Sequence, residues 1–567
     1  MNEHPLRFFE KHSIIPREQQ KQVVDVIYVN WDKYDYFALS LPTGIGKTYI
    51  ATAIASEVQN AYILTSTLQL QSQYEKSWSE LVNLKGRGNY PCQLNTNFTV
   101  DAAPCSAQPD LVRICIRDKL CAYYNQKDRA LKSQSMITNP VYMLYSTHCG
   151  FASEEDSPWK RRSVLIIDEA HNLENHLVQF AESDVDPEML QKEFGINAAT
   201  YVFTGRPVDD YMLIVHLREA LMKKAEELKE KIEKEFPAKK FFDDGEMKTW
   251  ARGMTEKVAE RVRKLNIRAY QLDKQIQPLH IFFNTHETPE ELSRRWLVSK
   301  YPDKNVLKLA PIYGDFLFKE YFGKLADKFV FLSATLGSKS SFCKEVGIEE
   351  KDCFFIETES PFPPDKSPVI VMPSIKLSKD HYQENVKKVG GLIDEILNLH
   401  PDDHGIIHCV TYDLQTQIFN QVSIKNRKRL LCRDMDSLNG KLAPGQYPKR
   451  FKNGELLILH ENAKYSSVLL SPSMMEGIDL FDELSRFQVI IKLPWSNLGD
   501  ARIKVKSQLD PDWYTNKLWV SILQASGRST RHDEDSSITY ILDSNFRYFY
   551  EQWKHKLPNW FKNRLVF

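Results

Sequence analysis

Residues 36–48 read YFALSLPTGIGKT, and this stretch decides the fold of the first part of the chain. Its first six residues are a mostly apolar run, typical of a strand buried on both faces of a parallel sheet. A proline and two glycines follow, and a helical pattern covers residues 49–57. A strand, a glycine-rich loop and a helix in this order present backbone N–H groups to a bound phosphate. The stretch therefore predicts an α/β fold with a phosphate-binding loop.

The loop residues have the chemistry needed to hold a nucleoside triphosphate. Lys47 would reach the β- and γ-phosphates, and the hydroxyl of Thr48 would ligate Mg²⁺. The full phosphate-loop pattern has a glycine where this chain has Leu41, so the match departs from the pattern at one position. We expect ATP to be bound by Thr43, Gly44, Ile45, Gly46, Lys47 and Thr48.

A pair of carboxylates follows a second buried strand. Residues 164–167 (VLII) form an apolar run, and Asp168, Glu169, Ala170 and His171 come directly after it. The end of a strand places such a pair at the rim of the sheet, beside the phosphate loop. We expect Asp168 to hold Mg²⁺ and Glu169 to orient or deprotonate the water that attacks the phosphate.

A third polar segment lies far along the chain, where residues 524–531 read QASGRSTR. Arg528 and Arg531 are three residues apart, so on a helix they share one face. Such a pair can reach a γ-phosphate across a cleft and stabilise the charge of the transition state. Together with Gln524, these arginines complete the predicted catalytic set.

Apolar runs elsewhere divide the chain into two α/β parts separated by a proline cluster at residues 360–365 (SPFPPD). The first part contains the runs at 61–64 and 329–332. The runs of the second part lie at 406–410, 468–470, 489–491 and 538–542.

Two segments interrupt the first part. Residues 84–130 are rich in asparagine and cysteine and lie between two strands of the predicted sheet. Residues 178–300 contain apolar positions at helical spacing, which predict two long amphipathic helices that pack as an antiparallel pair and are joined near residues 237–253.

The composition excludes several classes of protein. The chain has 567 residues, of which 42% are hydrophobic and 26% charged, as in a folded globular protein. Because 75 basic residues balance 75 acidic ones, a nucleic acid would have to bind in a local channel. No apolar run reaches the ~18 residues of a membrane span, and the N-terminus lacks a secretory pattern. Nine cysteines in so long a chain indicate a reducing compartment, so we expect a cytoplasmic protein.

In this order the motifs resemble those of a superfamily two helicase, and the resemblance runs from about residue 15 to residue 545. Residues 65–69 (TSTLQ) resemble that family's strand-end contact with DNA. Residues 333–335 (SAT) resemble the motif that couples hydrolysis to movement, and residues 476–479 (EGID) resemble a further motif of the nucleotide cleft. The resemblance adds four residues to the expected nucleotide site, namely Arg17 and Gln20 on the adenine side, Gly477 and Asp479.

A narrower resemblance is to the DinG/XPD branch, the iron–sulfur DNA helicases. Residues 85–92 (KGRGNYPC) are similar to the sequence that introduces the cluster, and residues 121–124 (CAYY) to the one that closes it. Four thiolates can hold a 4Fe-4S cluster, whereas zinc sites usually contain a tight cysteine pair that is absent from this segment. The resemblance implies cluster ligands at Cys92, Cys105, Cys115 and Cys121; zinc and four unrelated thiols remain the alternatives.

The resemblance also names the parts of the chain. It implies an α/β fold with two RecA-like motor domains, the first of which carries an iron–sulfur insertion and a helical Arch insertion. The expected boundaries are residues 1–83, 131–177 and 301–365 for motor domain 1, 84–130 for the iron–sulfur insertion, 178–300 for the Arch and 366–567 for motor domain 2.

The implied function is that of an ATP-dependent DNA helicase. It would move 5′-to-3′ on single-stranded DNA and unwind forked or tailed duplexes, as a monomer that uses ATP, Mg²⁺ and a 4Fe-4S cluster. Basic and aromatic residues could hold the strand, and the candidates beside the cluster are Arg87, Tyr90, Arg113, Tyr123 and Tyr124. These rings could equally pack around the cluster. An RNA helicase and an ATP-switched DNA-binding subunit remain alternatives, and the compact length favours a prokaryotic or viral host.

Overall fold

The protein is described from a computed structural model. The described residues are 1, 3–106, 109–148, 157–197, 201–235, 243–285, 289–375, 377, 382–438, 449–474, 480, 482–527 and 535–567. Within these ranges, the helices lack the extended apolar stretch that a transmembrane segment requires.

The strands are numbered along the chain. They are β1 (Tyr36–Ser40), β2 (Ala61–Leu64), β3 (Val82–Asn83), β4 (Ser135–Thr138), β5 (Arg162–Asp168), β6 (Ser183–Val185), β7 (Trp296–Lys300), β8 (Leu307–Pro311), β9 (Ala326–Ser333), β10 (Cys353–Glu357), β11 (Val369–Ile375), β12 (Gly405–His408), β13 (Leu430–Leu431), β14 (Val468–Ser471), β15 (Phe487–Ile490), β16 (Ile538–Asp543) and β17 (Leu565–Val566).

The α-helices are numbered in the same way. They are α1 (Leu6–Lys11), α2 (Glu18–Asn30), α3 (Lys47–Ser56), α4 (Leu68–Ser77), α5 (Pro109–Arg117), α6 (Ala122–Lys132), α7 (Pro140–His148), α8 (Leu173–Ala181), α9 (Pro187–Phe194), α10 (Pro207–Glu235), α11 (Asp244–Arg252), α12 (Glu256–Asn284), α13 (Pro289–Arg295), α14 (Asp315–Tyr321), α15 (Lys339–Val346), α16 (Tyr382–Leu399), α17 (Tyr412–Gln421), α18 (Ile424–Arg427), α19 (Met435–Leu438), α20 (Asn453–Glu461), α21 (Ala501–Leu509), α22 (Pro511–Ser526), α23 (Asn545–Trp553) and α24 (Asn559–Lys562).

Two seven-stranded parallel sheets form the two lobes of the protein. The first lobe is built on strands in the order β10-β1-β9-β5-β2-β4-β3, and the second on β13-β14-β12-β15-β16-β11-β17. The strands are short apolar runs because both faces of each sheet are covered, so side chains pointing either way are buried. The predicted α/β class with two RecA-like domains is confirmed.

The strand order of the first sheet brings distant parts of the chain to one edge. β1 pairs in parallel with β9, and β9 pairs in parallel with β5. Leu332 of β9 is in register with Leu39 of β1 on one side and with Asp168 of β5 on the other. Because parallel strands end at the same edge, the segments that follow β1, β5 and β9 are neighbours in space.

Both insertions leave and re-enter the first lobe. The cysteine-rich segment begins after β3 and returns through β4, which pair with each other in parallel. The predicted long helices are α10 and α12, and they run antiparallel because Tyr211, near the start of α10, stacks edge-on against Phe283 near the end of α12, with ring centroids 5.3 Å apart. A short helix, α11, lies between them.

The sequence did not reveal a small antiparallel sheet, in the order β6-β8-β7, at the base of the helical insertion. Its strand β6 has only three residues, which is too short for a periodic pattern to be recognised. The two insertions also contact each other. Arg117 Nη1 lies 2.5 Å from Asp244 Oδ2, and the side-chain amide of Asn95 donates to the carbonyl of Ala251 at 3.2 Å.

A buried arginine holds the opposite edge of the first sheet together. Arg162, at the start of β5, donates to four backbone carbonyls, those of Ala61, Ala130, Leu131 and Gln134, at 2.7–3.2 Å. We predict that Arg162→Met lowers the free energy of unfolding by about 3 kcal/mol, because buried carbonyls lose their donors. Urea denaturation followed by tryptophan fluorescence measures the change.

The adjacent residue provides the matched control. Arg161 is exposed and pairs with Asp327 at 2.6 Å on the surface. We expect Arg161→Met to cost at most about 1 kcal/mol, as is usual for an exposed ion pair. Equal losses in the two variants would contradict the role given to Arg162.

Candidate active site

The phosphate loop has the backbone shape that its glycines predict. Gly44 and Gly46 have φ angles of +85° and +86°, in the left-handed region that favours glycine. A Cβ atom on Gly46 would lie 2.4 Å from Nε2 of Gln20, so a larger residue would displace that side chain in addition to being strained by the positive φ. α3 begins directly afterwards at Lys47, and none of the described side chains caps its N-terminus. The partial positive charge at this helix end favours a bound anion.

The two residues expected on the adenine side contact the loop itself. The guanidinium of Arg17 donates to the carbonyl of Gly44, and the buried amide of Gln20 lies 3.4 Å from the carbonyl of Gly46. Gln20 also accepts from the backbone N–H of Arg17 at 2.8 Å. These contacts brace the phosphate loop, and the role of both residues toward adenine stays a prediction.

Asp168 ends β5 and is buried beside the loop. Its carboxylate accepts the hydroxyl of Tyr74 at 3.0 Å and the backbone N–H of Glu169 at 2.9 Å. Burial and the neighbouring carboxylate of Glu169 raise the pKa of Asp168, and the charge of Lys47 opposes that rise. The carboxylate of Asp168 supplies oxygen ligands of the kind that Mg²⁺ prefers. Tyr74 was missed because its link to Asp168 spans 94 positions of sequence.

A chain of polar contacts leads from the carboxylate pair to the second lobe. Glu169 has a left-handed backbone (φ +54°), which is uncommon for a residue with a side chain. Its carboxylate lies 3.3 Å from Nδ1 of His171, and the same nitrogen lies 2.9 Å from the hydroxyl of Ser333. Gln524, on α22 of the second lobe, reaches that hydroxyl at 3.5 Å. The contacts therefore run from Glu169 across the cleft to Gln524.

The tautomer of His171 follows from its neighbours. The amide of Asn172 lies 2.9 Å from Nε2 of His171, and an amide N–H can only donate. The neutral ring therefore carries its proton on Nδ1, the atom that faces Ser333 and Glu169.

Four of the predicted site residues lie outside the described residues, namely Gly477, Asp479, Arg528 and Arg531. The residue before Arg528 is described. A Cβ on Gly527 would lie 3.0 Å from the hydroxyl of Thr43 in the phosphate loop. The end of α22 thus touches the loop directly.

Buried charges join the two lobes next to this site. Glu174, at the start of α8, accepts from Arg502 at 3.0 Å, from Lys506, and from the indole N–H of Trp513 at 3.1 Å. Burial would raise the pKa of Glu174, but Lys506 and Arg502 more than offset this and lower it. Lys517 continues the group, since its ammonium donates to the carbonyl of His171 at 3.1 Å and pairs with Glu345 at 2.8 Å.

We call this group the interlobe charge cluster; its members are Glu174, Glu345, Arg502, Lys506 and Lys517. One member, Lys517, lies on α22, the helix that also carries Gln524. No sequence pattern indicates this cluster, because its charged groups pair across as many as 332 positions.

The four predicted cluster ligands lie in the same insertion. Cys92, Cys115 and Cys121 are buried and Cys105 is half-buried, and none of the four forms a disulfide with a described cysteine. Burial raises the pKa of Cys105 to about 12, and the other three thiols add to the rise. The four sulfurs are therefore near neighbours. Within the described ranges, however, no three His, Cys, Asp or Glu side chains are arranged to hold a metal ion.

The donor set nevertheless fits an iron–sulfur cluster better than a single ion. Each thiolate of such a cluster binds a different iron, so the sulfurs need not converge on one point. The guanidinium of Arg87 lies beside Cys105 and would favour its charged form. The cluster itself stays a prediction.

The aromatic residues beside the cysteines are mostly packed together. Tyr123 is only 3% exposed, and its hydroxyl lies 2.6 Å from that of Tyr142. Arg87 donates to the hydroxyl of Tyr124 at 2.8 Å and lies over the ring of Tyr123. These contacts favour the packing alternative for Tyr123. Arg113, by contrast, has a highly exposed side chain.

Comparison with known proteins agrees with this geometry. The family profile "Helicase C-terminal domain" matches residues 393–564, and the profile "Type III restriction enzyme, res subunit" matches residues 13–196. A structure titled XPD helicase superposes with a TM-score of 0.58 at 14% identity, covering 95% of this chain and 98% of that one. The Xpd4 structure of S. tokodaii superposes with a TM-score of 0.53 at 14% identity. The superposition covers 97% of this chain and 100% of that one.

Relatives in sequence come from an archaeon and from eukaryotes. A probable ATP-dependent helicase of Methanocaldococcus jannaschii is 21% identical over 94% of this chain and 92% of its own length. The ATP-dependent DNA helicase CHL1 of Kluyveromyces lactis is 23% identical over 80% of this chain, which spans 60% of that protein. CHL1 of Debaryomyces hansenii is 31% identical over 19% of this chain, and the matched part spans 15% of that protein. These sources give no support to a prokaryotic or viral host in particular.

The fold and the site define a two-lobed, nucleotide-driven motor. The chain is similar to ATP-dependent helicases in sequence, and its fold is that of the XPD structures.

The interlobe charge cluster gives a stability prediction. Glu174→Gln removes the carboxylate that pairs with Arg502 and Lys506, and so leaves these two buried cations without its negative charge. We expect the free energy of unfolding to fall by about 3–5 kcal/mol, as when one partner of a buried ion pair is removed. Urea denaturation measures the loss.

Glu182 supplies the matched control near the same interface. Its carboxylate is partly exposed and lies 3.7 Å from Lys308. Glu182→Gln should change the free energy of unfolding by no more than about 1 kcal/mol. If both substitutions cost the same small amount, the cluster does not hold the lobes together.

Proposed function

We propose that this chain is a DNA helicase that hydrolyses ATP to move 5′-to-3′ along single-stranded DNA and to open forked or tailed duplexes. The single observation that carries the proposal is the contact of Gln524, from the second lobe, with Ser333, which is itself joined to His171 beside the carboxylate pair. A nucleotide held at the loop would thus be in contact with both lobes.

Residues of the first lobe bind and orient the nucleotide. The loop residues Thr43–Thr48 hold the phosphates through backbone N–H groups, and the charge of Lys47 faces the β- and γ-phosphates. Thr48 and Asp168 would hold Mg²⁺, which neutralises phosphate charge when bound. Glu169 orients the attacking water and takes up its proton.

Residues of the second lobe complete the site. Arg528 and Arg531 follow α22, whose end lies against Thr43. Their guanidinium groups would stabilise charge that develops on the γ-phosphate. By the resemblance of their motif, Gly477 and Asp479 would also bind the nucleotide.

The polar chain couples hydrolysis to motion. Loss of the γ-phosphate changes the charge that Glu169 and His171 face, and these groups are linked to Ser333 and Gln524. Closing and opening of the cleft then change the spacing of the two lobes along a bound strand. The interlobe charge cluster keeps the lobes attached at one side, so the motion is a rotation about that side.

The two insertions would separate the duplex. They contact each other through Arg117 and Asp244 and are both rooted in the first lobe. A ring built in this way can admit one strand and exclude a duplex. Cys92, Cys105, Cys115 and Cys121 would hold the 4Fe-4S cluster, which supplies a rigid cross-link within the insertion. DNA is favoured over RNA because the CHL1 relatives are ATP-dependent DNA helicases.

Unwinding of tailed duplexes tests the proposal directly. The chain, purified without oxygen, is given duplexes with a 5′ or a 3′ single-stranded tail, together with ATP and Mg²⁺. We expect unwinding of the 5′-tailed substrate and stimulation of ATP hydrolysis by single-stranded DNA more than by RNA. Unwinding only from 3′ tails, or stimulation only by RNA, would overturn it.

Lys47→Ala is the control for the motor site in the same assay. The substitution removes the charge expected on the β- and γ-phosphates, so ATP turnover should fall by at least about 100-fold. Binding of single-stranded DNA, measured by fluorescence anisotropy without nucleotide, should persist. A variant that still turns over ATP would place the phosphates elsewhere.

Cys105→Ser tests the role of the insertion. Loss of one ligand should remove iron and its visible absorbance, and should reduce strand separation more than ATP hydrolysis. Cys409→Ser, a buried cysteine of the second lobe, is the matched control and should retain iron. An equal loss of unwinding and hydrolysis in Cys105→Ser would mean that the insertion merely stabilises the first lobe.

A further inference from the structure

Arg564 is a buried cation outside the site described above. Its side chain is 7% exposed, and none of the described acidic side chains pairs with it. Instead, Nε donates to the carbonyl of Ser367 at 2.5 Å and Nη2 to the carbonyl of Ser526 at 3.0 Å. The guanidinium also lies 5.9 Å from the ring centroid of Trp560.

Burial of this charge is costly, and the structure offsets the cost in a specific way. Burial lowers the pKa of Arg564 to about 10. Ser526 is the last residue of α22, and the C-terminal end of a helix carries partial negative charge on its free carbonyls. The helix end therefore takes the place of a carboxylate as the counter-charge. The hydrogen bond therefore fixes both the distance of the end of α22 from Arg564 and the orientation of its last carbonyl.

The end of α22 is the part that contacts the nucleotide site. Gln524 lies two residues before Ser526 and reaches Ser333 at 3.5 Å. Gly527 lies one residue after it, and a Cβ there would be 3.0 Å from Thr43. A small shift at Ser526 would move both contacts.

The other partner of Arg564 anchors it to the connection between the lobes. Ser367 follows the proline cluster that leads from the first lobe to the second. The backbone beside it is also fixed, since Val369 donates to the carbonyl of Arg564 at 2.7 Å as β11 pairs with β17. Arg564 thus joins the end of α22 to the point where the chain enters the second lobe.

We propose that Arg564 is a positioning residue for ATP hydrolysis, which fixes the end of α22 so that Gln524 and Gly527 stay in contact with Ser333 and Thr43. The inference rests on the proposed function, because it assigns Arg564 to the same nucleotide site. It adds a control point directly before β17, outside every motif of that site.

The test uses the full chain with Arg564→Gln and Arg564→Lys. Hydrolysis of ATP is measured with and without single-stranded DNA, and affinities are measured for ADP and for ADP with aluminium fluoride. For Arg564→Gln we expect kcat to fall by about 10- to 100-fold, the size of effect seen when catalytic groups are displaced slightly. KM and the affinity for ADP should change by less than about threefold, whereas tight binding of ADP with aluminium fluoride should be lost.

Arg564→Lys distinguishes the effect of the positive charge of Arg564 from the effect of its planar hydrogen-bonding geometry. Lysine keeps the cation but presents a point charge in place of a planar fork, so it cannot direct two N–H groups at two fixed carbonyls in the same way. We expect an intermediate kcat. Arg547→Gln is the matched control, because Arg547 is exposed, lies over Phe567 nearby and makes no contact with Ser526. It should behave as the unaltered chain.

A double-mutant cycle with Gln524→Ala distinguishes positioning from simple destabilisation. If Arg564 acts through the end of α22, Arg564→Gln should reduce kcat by much less in a Gln524→Ala background than in the unaltered chain. Additive losses, an unchanged kcat, or a parallel fall in ADP affinity and melting temperature would each overturn the inference. Failure of the proposed function would show differently, as an unaltered chain whose ATP hydrolysis single-stranded DNA does not stimulate.

Discussion

The parallel pairing of β9 with both β1 and β5 is the constraint on which the rest of the site depends. It brings the ends of three strands to one edge of the sheet, so that the phosphate loop, Asp168 and Ser333 become neighbours. The backbone N–H of Leu41 donates to the carbonyl of Ser333 at 2.8 Å, which fixes the first residue of the loop to the end of β9. A change in strand order would separate these groups whatever their identities.

The charged side chains buried between and within the lobes are all stabilised by hydrogen bonds to groups of opposite full or partial charge. Arg162 and Arg564 each donate to backbone carbonyls at the end of a helix, and neither relies on a carboxylate. At the interface, Glu174 is surrounded by cations from α21 and α22. Unpaired charges of this kind would be expensive in a dry interior. Each therefore holds specific elements in place, and α22 is held at both of its ends.

The two insertions show how one motor lobe can carry additional chemistry without disturbing its sheet. One begins at β3 and returns at β4, and the other is based on the small sheet of β6, β7 and β8. Both pack on the same face of the first sheet, in a shared apolar core that includes Tyr123 and Leu272. Their mutual contact through Arg117 and Asp244 makes the cysteine-bearing segment part of one body with the helices.

The sequence by itself determined the two α/β parts, the glycine-dependent loop and the long helices, because buried strands, left-handed turns and amphipathic helices all leave short-range patterns. It also pointed to Lys47, Asp168 and Gln524 as members of one site. Only the tertiary structure decided which side chains join them. Tyr74, Glu174 and Arg564 act through partners that are 94 to 339 positions away or through backbone carbonyls, and such hydrogen bonds leave no periodic signal in the chain. The short strand β6 was not predicted from the sequence for a related reason, because three residues are too few to show a periodic pattern.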